Sequence, residues 1–208
     1  MVSPTAVIVE ETQLNGSLKD LIKIRRHFLN LIILTYIWLA SSFNLYLLHY
    51  NTKKLPGSFF ANNLVSSVID FPVTVCGGFL YYLVGPRWSF TVTFACALFG
   101  GLFLLFLGAD YPTLVPYFLS LAKCGIKVTL DTCYLANAML FPAIFAGTAF
   151  GICTVGAKLA STLSPMLAEL EAPVPMIVFT SVSAVALLVS YFLRPERRGV
   201  EKHEGKPL

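Results

Sequence analysis

Long apolar runs separated by short polar punctuation occupy most of the chain. Residues 1–27 are polar and end in Lys23, Arg25, Arg26 and His27. An apolar run then extends from Phe28 to about Tyr50, and the turn from Asn51 to Gly57, with Pro56-Gly57 as punctuation, closes it. The second run goes from about Phe59 to Val84, interrupted by Asp70 and Pro72 and ended by Gly85-Pro86-Arg87-Trp88. The third covers Ser89 to Gly108, the fourth about Leu114 to Leu140, and Phe141-Pro142 breaks the fourth. The fifth runs from about Ala143 to Ala168, Glu169 to Pro175 forms a turn, and the sixth runs from Met176 to Leu193.

Each run is long enough to cross about 30 Å of hydrocarbon at about 1.5 Å per helical residue. Lipid offers backbone polar groups no partner, so spanning segments of this kind fold as helices. A membrane β-barrel would alternate apolar and polar positions, and these runs do not. The pattern therefore predicts an all-α membrane protein with six transmembrane helices. Residues 1–27 form an N-terminal tail, residues 28–193 the bundle and residues 194–208 a basic C-terminal tail. Pro72 allows the second run to be a kinked helix or two half-helices.

Composition agrees. Only 12% of the residues are charged against 56% hydrophobic, and the mean hydropathy is +0.74, which excludes disorder and an ordinary soluble enzyme. The basic residues are unevenly placed. Lys19, Lys23, Arg25, Arg26, Arg87, Arg194, Arg197, Arg198, Lys202 and Lys206 fall on one side of a six-span chain, opposite Lys53 and Lys54. The positive-inside rule then predicts both termini on the cytoplasmic, or equivalent, side of a multi-pass protein. Topology accounts for these charges, so no nucleic-acid role is expected. Five cysteines lie within apolar runs without a C-x-x-C pair, and no His/Cys/Asp group has metal-ligand spacing. No catalytic dyad, metalloprotease motif or phosphate-cradling loop is present, so neither an enzyme nor a cofactor is expected.

Charges inside spans are expensive and mark structural pairs or pathways. Asp70, Lys123, Lys127, Asp131 and Lys158 are the candidates. Lys127 and Asp131, four apart on one helix, can pair with each other. Lys123 lies one turn earlier and can snorkel toward an interface. Lys158 has no acid within a turn of its own helix, so it either pairs with Asp70 or Asp131 across helices or faces a water-filled cavity. Gly147 and Gly151 on the same run form a G-x-x-x-G pattern, which predicts close helix packing there.

The order of these features resembles the C-terminal half of a major facilitator superfamily transporter of the organic ion transporter branch. The segment from Tyr36 to Tyr46, with Trp38 followed by Ser41, Ser42 and Phe43, is similar to that branch's seventh helix. Asp70-Phe71-Pro72 resembles the acid-x-Pro of the eighth, and Gly85-Pro86-Arg87-Trp88 the Gly-Arg-Arg turn that follows. Ala122-Lys123 resembles Gly-Lys in the tenth helix, and Tyr134 to Pro142 the segment ending in Leu-Phe-Pro. Val155-Gly156-Ala157-Lys158 to Pro165 resembles the eleventh helix, and Leu193-Arg194-Pro195-Glu196 the end of the twelfth. Met139 stands where the family has Glu before Leu-Phe-Pro, and Ala146 where it has Arg.

The resemblance implies a half of a major facilitator fold that needs a second six-helix half, either another copy or a separate chain. It implies a substrate pathway lined by Phe43, Asn44, Tyr46, Tyr134, Asn137 and Lys158. Lys158 falls where anion-type members carry a basic residue, which implies a small organic anion. Asp70, Lys123, Lys127 and Asp131 form an intramembrane charge network. The missing Glu and Arg point to an alternative: a non-transporting structural or accessory subunit, covered by other membrane proteins.

Overall fold

The computed structural model describes residues 25–55 and 58–193. The tail residues outside that range and the Pro56-Gly57 turn lie outside the described residues. Every regular element among the described residues is helical: α1 (Arg25–Asn51), α2 (Phe59–Leu107), α3 (Val115–Leu140), α4 (Ala143–Ser161), α5 (Ser164–Ala168) and α6 (Val174–Tyr191). Short 3-10 turns, Thr52–Lys54 and Pro112–Leu114, follow α1 and precede α3. Arg25 and His27, expected in the tail, already belong to α1.

The helix boundaries follow from proline chemistry. Pro116, Pro165 and Pro175 occupy the first turns of α3, α5 and α6, where a missing N–H costs nothing. Phe141 is extended (φ −113°, ψ 141°), the conformation favoured before proline, and so α3 stops there and α4 begins after Pro142.

Among the described residues, five segments are long and apolar enough to cross a membrane. The second and third expected runs fall in the single 49-residue segment α2, which is two helices meeting at Gly85. Gly85 has φ 79° and ψ 172°, a left-handed value that glycine adopts without the Cβ clash of other residues. The guanidinium of Arg87 lies 4.0 Å from the centre of the Tyr191 ring and ties this junction to the end of α6.

The second arm of α2 (86–107) packs tightly on α3 and α6. A methyl group at Gly100 would collide with the backbone of Ala122, one at Gly125 with Thr93 and Ala97, and one at Gly101 with Phe179. Thr129 donates to Thr93 at 2.7 Å across the same seam. Small residues permit this approach, the usual means of helix association without a hydrophobic driving force. The expected interface at Gly147 and Gly151 is not formed among the described residues: added methyl groups there meet nothing within 4 Å. α1 is held by α4, α5 and α6. Thr35 and Cys153 approach to 3.3 Å, Ser164 donates to the Phe43 carbonyl at 3.0 Å, and Asn44 donates to Ser183 at 2.9 Å. Trp38, Phe90, Phe94, Phe145 and Phe179 fill the core between these helices.

Candidate functional site

Helical periodicity gathers the polar residues of α3. Lys123, Lys127, Asp131 and Tyr134 follow one another at spacings of four, four and three, which puts them on one stripe. The first arm of α2 (59–84) brings Asp70 to this stripe, and α1 brings Leu45, Tyr46 and His49. These residues line a cavity of about 290 Å3 with Lys123 and Lys127. Lys123 is buried in it rather than reaching outward, and lies in the electrostatic field of Asp70. Lys127 pairs with Asp131 at 3.8 Å, as their spacing predicts.

α4 adds the remaining cation. The ammonium of Lys158 stands 5.9 Å from the centre of the Tyr46 ring, so it borders the cavity through that ring. Among the described residues no carboxylate lies within ion-pairing distance of Lys158. Neither Asp70 nor Asp131 supplies the partner that the sequence left open.

An aromatic cluster joins α1, α3 and α4. The Trp38 ring meets Tyr134 edge-on at 4.8 Å and Phe150 edge-on at 5.5 Å, and Tyr134 and Phe150 lie 6.0 Å apart. Trp38 is fully packed, whereas Tyr134 and Phe150 remain exposed on their outer sides.

The six pathway residues expected from sequence thus divide. Tyr46, Tyr134 and Lys158 are exposed. Phe43 is packed into the core, and Asn44 is fully buried with its amide turned to α6, where it also reaches the Phe179 carbonyl. Asn137 is buried, and its amide donates to the Ala146 carbonyl at 3.0 Å, bracing the α3–α4 corner. Sequence reasoning left out His49, Phe150 and the ring contacts of Trp38. Their spacings carried the signal: His49 lies three residues after Tyr46, and Phe150 lies eight before Lys158, each on a shared helix face.

Among the described residues no group of three or more His, Cys, Asp or Glu is placed to hold a metal ion. No family model matches the chain. Curated relatives do. The chain is 24% identical to human solute carrier family 22 member 13 over 93% of its own length and 35% of that protein. It is 28% identical to human organic cation/carnitine transporter 2 over 78% of its length, covering 30% of the transporter. Its homologues are transporters of solute carrier family 22. A fruit-fly organic cation transporter-like protein is also 28% identical, over 75% of the chain. These relatives are transporters and not enzymes. The chain spans about a third of the length of the solute carriers it matches.

Proposed function

We propose that this chain is one six-helix half of a major-facilitator-type transporter for small organic ions, with anions favoured. The observation that carries the reading is the convergence of Asp70, Lys123, Lys127 and Lys158 from three helices on one cavity and its bordering ring. Charges facing lipid would cost about 2.5–3.5 kcal/mol each, so this face turns away from the bilayer. A second half, either another copy or a separate chain, covers it. The two arms of α2 count as separate spans, which makes six. Both termini then lie on the cytoplasmic side, in keeping with the basic tails.

In this reading Lys158 is the substrate's counter-charge, and Tyr46 and Tyr134 are the aromatic walls. Asn137 braces the pathway, while Phe43 and Asn44 support it from behind. Alternating access follows from one half rocking against the other. The open Gly147/Gly151 face of α4 is on hand for the second half, because small residues let a helix come close.

The test is uptake of radiolabelled benzoate into proteoliposomes carrying the chain with its co-purifying partner. Lys158→Ala should abolish uptake, and Lys158→Arg should retain it. Uptake unaffected by Lys158→Ala contradicts the reading.

One observation favours the alternative of an accessory subunit. Met139 and Ala146 leave the α3–α4 corner without the Glu and Arg that the family resemblance expects, and the Met139 side chain is exposed. A subunit of this kind would be inactive in uptake and would be lost from its assembly when the Gly147/Gly151 face is enlarged.

A further inference from the structure

Three lysines and two carboxylates gather at the cavity and its border. Lys127 of α3 is matched by Asp131 on the same helix, at 3.8 Å. Lys123 of α3 lines the cavity together with Asp70, which enters from the first arm of α2. Lys158 of α4 stands over the Tyr46 ring, with no carboxylate partner among the described residues. His49 of α1 completes the lining. Three lysines against two carboxylates leave the cavity and its border with one unbalanced positive charge.

We infer that Asp70 sets the charge of the ion this cavity accepts: as a resident carboxylate opposite Lys123, it leaves room for one negative charge and excludes a dianion. This inference rests on the proposed anion reading and adds to it the residue that counts the charge. Asp70 suits the role because it is on a different helix from the lysines. It can be neutralised without disturbing the Lys127–Asp131 pair within α3. The cavity is small and partly enclosed by apolar wall, so an unmatched charge inside it is poorly screened and changes ion affinity strongly.

The experiment is equilibrium binding of radiolabelled benzoate and phthalate to the full chain with its co-purifying partner in lipid nanodiscs at pH 8. The two probes share a ring and differ by one carboxylate. The native chain should bind benzoate more tightly than phthalate. Asp70→Asn should raise phthalate affinity about ten-fold and reverse the order. Asp70→Glu should keep the native order, and Asp70→Asn with Lys123→Gln should restore it. Lys123→Gln alone should weaken benzoate about ten-fold, a readout that stands even where Asp70→Asn fails to fold. An unchanged phthalate-to-benzoate ratio in Asp70→Asn, with benzoate still bound, overturns the role of Asp70 and leaves the anion reading intact. No benzoate binding by the native chain overturns the anion reading, and the role of Asp70 falls with it.

Discussion

The ammonium of Lys158 sits 5.9 Å from the centre of the Tyr46 ring, linking α4 to the cavity that α1, α2 and α3 enclose. The negative face of a ring attracts a cation by about 0.5–2 kcal/mol, more when water is excluded. Tyr46 therefore holds Lys158 at the cavity edge without neutralising it, which a carboxylate would do.

Replacing that ring tests the relationship. Tyr46→Phe should preserve benzoate uptake, since the ring remains. Tyr46→Leu should raise the apparent KM several-fold, up to about thirty-fold, with little loss of stability because Tyr46 is partly exposed. Equal KM values for the two variants would show that the ring has no part in placing the ammonium.

Asn44 behaves as a clamp in this structure. Its amide joins α1 to Ser183 and the Phe179 carbonyl of α6 in a fully buried position. Asn44→Ala should lower stability by about 1–3 kcal/mol, because buried polar partners are left unmatched. The preference between benzoate and phthalate should stay native. Thermal unfolding in detergent, read beside binding, separates the two effects.

Glycines on opposite sides of the bundle should respond differently. Gly125→Ala forces a methyl group into the backbone of Thr93 and Ala97, at a cost of about 1–3 kcal/mol. Gly151→Ala meets open space and should leave the isolated chain's unfolding temperature unchanged. Gly151→Leu should also spare the isolated chain but reduce recovery of the paired species, because that face receives the second half. Equal thermal losses at Gly125 and Gly151 would contradict this assignment of faces.

Much of the fold was legible in sequence because a membrane helix must be both long and apolar. The helical character of the apolar runs, the Phe141-Pro142 break and the Lys127–Asp131 pair follow from local spacing and are found in the structure. There the second and third runs fall in one segment, and five spans are present among the described residues. Contacts between helices were harder to read. Nothing within α1 says that Asn44 meets Ser183 of α6 while Tyr46, two residues on, meets Lys158 of α4. Positions two residues apart on a helix face nearly opposite directions, about 160° apart, and helix order in space decides which neighbour each one finds. The same applies to glycine. The G-x-x-x-G pattern drew attention to Gly147 and Gly151, yet the tight seams use Gly100, Gly101 and Gly125, whose partners lie on other segments.

The junction at Gly85 gives a further prediction. Its φ of 79° suits glycine alone, so Gly85→Ala should destabilise the chain by about 1–2 kcal/mol. Arg87→Gln removes the cation from the Tyr191 ring and should cost about 0.5–2 kcal/mol. Both variants should increase protease cleavage at residues 85–88. Limited proteolysis with native-like protection in both variants would contradict the tie between this junction and α6.

The central claim is that the charged face of this bundle is covered by a second six-helix half. The most direct measurement is the native mass of the protein, gently extracted from its own membrane, with the co-migrating chains identified. The account predicts a species of two six-helix halves, either two copies of this chain or one copy with a partner of similar size. Migration as a fixed-ratio component of a much larger assembly would contradict it and favour the accessory-subunit reading.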